Sequence, residues 1–519
     1  MINKFTVIIA ILFLIALTSC AAYNARQEEG VQDNRFTAGP VRQSATFIAG
    51  PTAKKQDPIR DLLSIVDDNQ RHGEFDAAKK LIAGYMAKNK ALLSQTEIKL
   101  LNDEIERNRR IPLDYKLDES QLFAELSKSI KGFGKNEFVK WQKEGRFDIK
   151  TVNGQKRFMN SSKSNLFFRY PELNARRIDY NNNINFANEV YNTIIKIKTT
   201  KAGSDGVVRA PYKMQISHSL TLNKGLVNKG AKLSCWIPFP IAFESQNNIK
   251  LIRSSYPVKS IDSEKSPIRS AFFEITTSND NPGPFEVEYS YTSYSNYRKV
   301  DPLKVGKYNV NSDVYKKYTR EEPHITFSNK ITRQVDKIIG SETNPYIKAK
   351  KIYNWICDNI KYSYCVEYST LRNISEYTLE KGYGDCGQQA MLFISMCRSE
   401  GIPARWQSGL AAYNTRQFIH DWAETYIEPY GWIPVDTYMG VYFTSVSKVL
   451  GSKKSNEIRD FYFGNMDYFR MVANKGHSIE LKPDKKYLRS DAVDFQRGEI
   501  ESGRNFYFDE WKYKFKVIK

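Results

Sequence analysis

The hydrophobic pattern of this 519-residue chain changes its period partway along. Between about 180 and 300, apolar and polar residues alternate, as they do from Tyr212 to Leu222 and from Phe285 to Thr292. An alternation of period two indicates antiparallel sheet with one buried face. His218 falls on the apolar side of the first run, so we interpret it as a core residue and not as a ligand. Because helical and strand patterns occupy separate stretches, the chain is predicted to be α+β.

The stretch before the strands, residues 57–145, follows a helical period. Asp57-Pro58 is typical of a helix start. Ser94 with Glu97 predicts a capping box that opens a third helix, and further helices are expected at about 119–131 and 135–143. The sequence around Gly73 resembles one tetratricopeptide-type turn, but a single pair is not an array. We expect this region to give structural support or to dock a partner.

A strongly apolar helix is predicted to begin at Cys386. Asp385 can cap that helix, and the glycines just before it permit a sharp turn. Gly401 and Pro403 follow where such residues end helices. Cys386 would therefore lie at the positive end of a helix dipole, an environment that favours the thiolate over the thiol.

A β-hairpin is predicted downstream, with its turn near Pro429 and Gly431. His420 lies near the start of its first strand and Asp436 at the end of its second. The position of the turn requires a bulge or a diagonal contact to bring the two side chains together. A thiol, an imidazole and a carboxylate in this order are typical of a cysteine nucleophile with its base and the group that orients the base.

These motifs together resemble the core of the transglutaminase-like superfamily. The resemblance rests on residues 383–387, 401–405, 420–422 and 431–436, with an upstream helix-then-Tyr segment at 349–364. It implies a papain-like α+β core with a triad of Cys386, His420 and Asp436. It also implies attack of the thiolate on a carboxamide or peptide carbonyl, which gives a thioester acyl-enzyme. The acceptor stays open, since an amine would make the protein a transglutaminase and water a peptidase or amidase.

The expected fold is a multidomain α+β protein in which a papain-like transglutaminase core follows an antiparallel β-sandwich-type domain and an N-terminal helical region. The predicted order is a lipoprotein signal peptide (1–19), a tether (20–56), a helical region (57–145), an antiparallel β domain (180–300), the catalytic core (301–450) and a C-terminal α/β extension (451–519).

Candidate oxyanion donors are the backbone N–H of Cys386 and, upstream, the Trp355 indole or the Tyr362 hydroxyl. For both aromatic residues we favour a packing role. The sequence contains no Asp-x-Asp-x-Asp-Gly loop, spaced Cys pairs or His-x-x-x-His, so no metal and no cofactor are predicted.

The N-terminus combines a positive start, an apolar run from Phe5 to Leu17 (Thr6 apart) and Thr18-Ser19-Cys20. This arrangement is typical of a bacterial lipoprotein signal with lipidation at Cys20, although an ordinary secretory signal is the alternative. It predicts a Gram-negative envelope protein, lipid-anchored at the outer membrane and facing the periplasm or the outside. Arg26 to Glu29 is interpreted as a solvated linker or an export signal.

The charge and the N-terminus bear on the expected partners. The formal net charge is +20, with the basic residues spread along the chain. We expect a protein or peptide substrate, contact with the membrane through Cys20 and no nucleic acid, and the oligomeric state is left open. Among Cys235, Cys357, Cys365 and Cys397 no disulfide is assigned. The alternative to an acyl-transfer enzyme is a non-catalytic envelope scaffold or binding protein that reuses the same fold.

Overall fold

The structure is a computed structural model that describes residues 58–178 and 184–518. The predicted signal peptide, Cys20 and the tether lie outside these ranges. Within them, no helix is long and apolar enough to cross a membrane.

The chain first forms helices that pack on one another and on later parts of the protein. The first three are α1 (Pro58–His72), α2 (Phe75–Asn89) and α3 (Gln95–Arg110). The predicted capping box is present, because the Ser94 side chain accepts from the Glu97 N–H while Glu97 accepts from the Ser94 N–H. At the other end of α3, Arg110 donates to the backbone oxygen of Arg489 at 2.6 Å. The helical region is thereby attached to the C-terminal segment.

A small helix-and-hairpin unit follows, with its own aromatic core. It consists of α4 (Glu119–Ser129), α5 (Lys135–Lys143), the antiparallel pair β1 (Ile149–Val152) and β2 (Gln155–Phe158), and α6 (Ser162–Arg169). Asp148, just before β1, accepts a hydrogen bond from the Tyr383 hydroxyl, three residues before Cys386.

The region of alternating sequence forms one helix and most of two antiparallel sheets. Its elements are α7 (Ile184–Thr199), β3 (Pro211–Leu222), β4 (Lys232–Pro238), β5 (Gln246–Ser254), β6 (Ser260–Ile261), β7 (Ser270–Thr276) and β8 (Phe285–Tyr294). In β3 the predicted apolar positions are buried, His218 among them. His218 Nε2 donates to the backbone oxygen of Arg497 at 3.1 Å, and burial lowers the pKa of His218 to about 4. The two sheets share one core cluster, to which α7 also contributes buried side chains.

The next region combines helices with a four-stranded sheet, against which some of the helices pack. In chain order the elements are α8 (Asp313–Tyr318), α9 (Asn329–Ile339), α10 (Pro345–Asn359), β9 (Lys361–Tyr362), α11 (Ile374–Lys381), β10 (Tyr383–Gly384), α12 (Cys386–Ser399), β11 (Ala404–Ala412), β12 (Gln417–Ile427), β13 (Gly431–Val435), α13 (Thr437–Ser445), α14 (Ser447–Leu450), α15 (Ser452–Phe461) and β14 (Arg470–Asn474). The sheet order is β13-β12-β11-β14. Helix α12 is buried along nearly its whole length, as its apolar sequence predicts.

The C-terminal segment completes sheets that begin much earlier in the chain. It adds β15 (Glu499–Glu501), β16 (Asn505–Phe506) and β17 (Trp511–Val517). The finished sandwich sheets have the orders β16-β15-β4-β7-β6 and β17-β3-β8-β5. Residues 451–519, predicted as a separate extension, therefore supply strands to the core sheet through β14 and to both sandwich sheets.

Candidate active site

Cys386 is the first residue of α12, and the turn before it is tightly organised. Asp385 accepts from the N–H of Gln388 at 3.1 Å, while the Gln388 side chain accepts from the N–H of Asp385 at 3.2 Å. The Tyr368 hydroxyl donates to the same Asp385 carboxylate. The predicted cap is thus a complete capping box, which leaves the half-buried Cys386 side chain at the N-terminal end of the helix.

The residue after Cys386 has no room for a side chain. A Cβ on Gly387 would lie 2.3 Å from the Tyr368 hydroxyl, 2.7 Å from Asp421 Oδ2 and 3.0 Å from Trp406 Cη2. Three other side chains therefore pack directly against the backbone beside the thiol. A glycine is required here because of close approach and not because of an unusual backbone angle.

His420 and Asp436 meet through a diagonal contact across two paired strands. Ala423 pairs with Val435, so His420 and Asp436 are not directly opposite in the register. Their side chains nevertheless approach to 2.7 Å between His420 Nε2 and Asp436 Oδ2. Asp436 also accepts from the N–H of Met439 at 3.0 Å and so caps α13. The carboxylate is held by both the hairpin and the following helix.

Arg470 binds the same carboxylate from the neighbouring side, a role that the sequence did not reveal. Its Nη2 lies 3.1 Å from Asp436 Oδ2 and 3.2 Å from Asp467 Oδ2, and all three side chains are buried. Burial alone would raise the pKa of Asp436, but His420 and Arg470 hold that pKa below its usual range. Asp436 is therefore a carboxylate at neutral pH and acts only as a hydrogen-bond acceptor.

The protonation of His420 follows from its partner. Because Asp436 can only accept, the hydrogen lies on His420 Nε2 and Nδ1 keeps its lone pair. Burial lowers the pKa of His420, which favours the neutral ring. Among the described residues Nδ1 has no hydrogen-bond partner, although it is fully buried. The ring is enclosed by aromatic neighbours at centroid distances of 5.1–5.6 Å, namely Phe418, Trp422 and Tyr438.

The thiol of Cys386 does not bond to His420 in this structure. Its Sγ donates to Asp421 Oδ2 at 3.6 Å. The helix N-terminus predicts a lowered pKa for the thiol, but burial and the nearby carboxylates of Asp421 and Asp385 raise it well above the usual value. The expectation of a resting thiolate is therefore wrong for this arrangement, because burial and negative charge outweigh the dipole.

Asp421 is itself held by the C-terminal segment. Gln496 Nε2 donates to Asp421 Oδ1 at 2.6 Å and to the His420 backbone oxygen at 2.7 Å. Burial and the charge of Asp385 raise the pKa of Asp421 well above its usual range, while Arg497 acts in the opposite direction. Asp421 stands within residues 420–422, one of the stretches that carry the resemblance, but no pattern in the sequence identifies Gln496.

The two candidate aromatic donors occupy different surroundings. Tyr362 packs against the same core cluster as Cys386. Trp355 packs against the helical core cluster instead. Cys357 and Cys365, close in sequence, do not form a disulfide, and the described cysteines are all free thiols.

Comparison with known proteins identifies the domain that contains these residues. Residues 332–437 match the family described as the Transglutaminase-like superfamily. That range contains Cys386, His420 and Asp436. The chain therefore carries a transglutaminase-like domain within a multidomain α+β fold, and both the predicted resemblance and the predicted fold class are confirmed.

Relatives among curated proteins are distant. An uncharacterised protein of Haemophilus influenzae is 23% identical over 358 residues, which cover 59% of this chain and 90% of that protein. The uncharacterised protein YebA of Bacillus subtilis is 24% identical over 195 residues, or 33% of this chain. The match covers 25% of YebA, so this chain spans about a quarter of that protein's length.

Two solved structures are also similar. A protein of Cytophaga hutchinsonii, described as a candidate cysteine protease, is 16% identical with a TM-score of 0.38 and covers 60% of this chain and 93% of its own. The periplasmic domain of TgpA from Pseudomonas aeruginosa is 12% identical with a TM-score of 0.25 and covers 46% of this chain and 92% of its own.

Proposed function

We propose that this protein is a cysteine acyl-transfer enzyme that attacks an amide or peptide carbonyl through Cys386. The observation that carries the proposal is the state of His420. Its Nε2 is fixed by Asp436 at 2.7 Å, and its buried Nδ1 keeps a lone pair with no partner among the described residues. His420 is also the neighbour in sequence of Asp421, which accepts from the thiol at the helix N-terminus. Nucleophilic catalysis by cysteine requires an oriented base with a free nitrogen beside such a thiol.

The first step transfers the Cys386 proton to His420 Nδ1. Sγ must turn away from Asp421 Oδ2 to reach this nitrogen, and a rotation about the Cys386 Cα–Cβ bond is the proposed movement. Catalytic contacts are often longer before substrate binds. The transfer leaves a thiolate on Cys386 and an imidazolium on His420, and the positive charge of the imidazolium offsets the negative charge of the thiolate.

The chemistry then proceeds through a thioester. Sγ bonds to the carbonyl carbon, and the carbonyl oxygen takes up the electron pair within reach of the Cys386 backbone N–H. The C–N bond breaks as His420 returns its proton to the leaving amine. In the second half His420 deprotonates the acceptor, which is water in a hydrolase or an amine in a transglutaminase, and that acceptor displaces Sγ from the acyl carbon.

The two acceptors are separated by one pair of assays on the same preparation. Incorporation of a fluorescent primary amine into a glutamine-bearing protein measures cross-linking, while release of amine from a peptide library measures hydrolysis. Activity in either assay should be lost in Cys386→Ala and His420→Ala and retained in Cys365→Ala, the matched control at another half-buried thiol.

The competing function is a non-catalytic envelope binding protein. The raised pKa of the Cys386 thiol and its hydrogen bond to Asp421 favour it, because neither prepares the sulfur for attack. Preferential, pH-dependent iodoacetamide labelling of Cys386 that slows in His420→Ala supports the enzyme. Labelling of Cys386 no faster than that of Cys365 refutes it.

We also propose that the chain is anchored to the envelope of a Gram-negative cell through a lipid on Cys20, with a protein or peptide as its substrate. The support is the sequence from Phe5 to Cys20. Metabolic labelling with a clickable fatty acid should mark the wild type and not Cys20→Ala. A labelled Cys20→Ala protein, or an unlabelled wild type, contradicts the anchor.

A further inference from the structure

A cavity lies at the C-terminal end of the helix that begins at Cys386. Its volume is about 650 Å³. Arg398 lines it near the C-terminal end of α12, whose length at ~1.5 Å per residue places Cys386 about 18 Å away. Loops of the β-sandwich complete the wall, and they include Pro267, between β6 and β7, and Ile241, after β4. The cavity therefore lies where the sandwich meets the transglutaminase-like domain.

The lining of this cavity is strongly basic. It contains six lysine or arginine side chains and two glutamates. The cations are Lys265, Lys317, Arg320, Arg398, Arg405 and Lys475, and the glutamates are Glu264 and Glu322. A concave surface with one dominant sign of charge concentrates ligands of the opposite sign.

The arginines of the cavity form ion pairs with glutamates, but within the described residues its three lysines form none. Arg398 pairs with Glu322 at 3.0 Å, and Arg405 pairs with Glu424 at 2.6 Å. Within the described ranges, no carboxylate lies within 4 Å of the ammonium groups of Lys265, Lys317 or Lys475. Three positive charges consequently face the cavity without a bound counter-charge from the protein.

Lys475 is the most constrained of the three lysines. Its Nζ lies 3.5 Å from the centre of the Phe243 ring. Burial lowers its pKa to about 8, while Glu424 and Glu244 act to raise it and Arg405 to lower it. An ammonium held against an aromatic ring without an anion gains strongly from one, because its own hydration is already reduced.

The cavity wall also holds polar nitrogen atoms that have no hydrogen bond. Trp406 is 1% exposed, and its indole Nε1 finds no acceptor in the described part of the chain. His477 Nε2 likewise makes no hydrogen bond, although it lies 3.4 Å from Glu322 Oε2. An indole nitrogen can only donate, and a buried donor left unpaired costs about 1–3 kcal/mol.

We propose that this cavity is a binding site for a small molecule with two or more carboxylate or phosphate groups. The lysines neutralise its charges, and the Trp406 N–H supplies a neutral donor to one of its oxygens. The volume falls within the range of about 300–1,000 Å³ typical of small-molecule sites. Carboxylates and phosphates both accept from ammonium and indole donors, so the shared chemistry defines the ligand class.

Isothermal titration of the full chain at neutral pH tests the site with two probes, citrate and inorganic tripolyphosphate. We expect saturable binding of one molecule per chain for at least one of the two probes. Tighter binding of citrate would indicate a carboxylate ligand, and tighter binding of tripolyphosphate a phosphate ligand. The double variant Lys317→Gln/Lys475→Gln should weaken binding at least about tenfold. The matched double variant Lys316→Gln/Lys512→Gln changes two exposed lysines outside the cavity and should bind as the wild type does.

Two further readouts distinguish the cavity from general charge attraction. Trp406→Phe leaves the net charge unchanged but removes the donor, and should weaken binding about threefold or more. Affinity should also fall as the pH rises through about 8, because the anion binds the protonated form of Lys475. Failure of both probes to bind at about 1 mM, or equal losses in the two double variants, overturns the proposal. The titrations are repeated in Cys386→Ala, so their outcome is independent of catalysis.

Discussion

The substitution Asp421→Asn should make Cys386 more reactive, although it changes the only hydrogen-bond acceptor found for the thiol in the described structure. After burial, the charge of Asp421 is the largest cause of the raised pKa of the Cys386 thiol. Asparagine has the same shape but no charge, and Gln496 can still donate to its oxygen. The amide N–H₂ can in turn donate to the sulfur. All these changes favour the thiolate and lower the pKa of Cys386.

The size of the effect follows from the distance between the two groups. Unit charges 3.6 Å apart interact by about 4–5 kcal/mol at an effective dielectric constant near 20. Loss of this interaction would lower the pKa of Cys386 by roughly 3. Water around the half-buried thiol weakens the interaction, so we expect a fall of about 2. The thiolate fraction then rises about 100-fold. Because nucleophilicity decreases with pKa, the net gain in alkylation rate near neutral pH is about tenfold.

The assay is the rate of iodoacetamide modification at Cys386, followed by peptide mapping between about pH 6 and pH 10. Cys365 provides an internal reference, because its pKa is raised mainly by burial and then by carboxylates other than Asp421, of which Asp385 is the largest. Asp509→Asn, at an exposed carboxylate, is the matched control variant. If folded Asp421→Asn protein reacts at the wild-type rate or more slowly near neutral pH, the electrostatic account of the thiol is refuted.

Three further predictions test the packing behind the site. Arg470→Leu leaves the triad carboxylate without its buried cation and should lower the free energy of unfolding by about 3–5 kcal/mol, measured by chemical denaturation; an unchanged midpoint would contradict the ion pair. Gly409→Ala should lower the free energy of unfolding by about 2–3 kcal/mol, because the new Cβ would collide with the Met471 backbone oxygen. Gly84→Ala, which has open space around the new Cβ, is the control and should not lower it. Burial raises the pKa of Asp114 to about 7 in the folded protein, so its ionised form costs stability above that pH. Asp114→Asn should therefore raise the free energy of unfolding by about 1–2 kcal/mol near pH 8 and leave it unchanged near pH 4. Equal effects at the two pH values, measured by thermal unfolding, would refute this.

The sequence predicts those parts of the site that are local in the chain. The cap at Asp385, the start of the helix at Cys386 and its burial depend on neighbours within one or two turns. The diagonal contact between His420 and Asp436 follows from a hairpin whose turn can be read from Pro429 and Gly431. In each case the pattern and the structure it produces lie within about twenty residues of one another.

The parts that were missed depend on long-range contacts. Arg470 reaches Asp436 only because β14 pairs with β11, and Gln496 reaches Asp421 from a loop near the C-terminus. The raised pKa of Cys386 has the same origin, since it results from burial and from charges brought together by folding. A helix dipole can be predicted from local sequence, but the dielectric environment around it cannot.

The pairing of β17 with β3 has a consequence for how the protein is made. Trp511 is the partner of Leu222, so roughly 300 residues separate the two strands, a topology that slows folding. The sandwich sheet cannot close until residues 511–517 have been synthesised. A product truncated before residue 511 would keep β3 with an open edge, where a strand from another copy can add. Premature termination near the C-terminus should therefore yield aggregates and not a shortened but working protein.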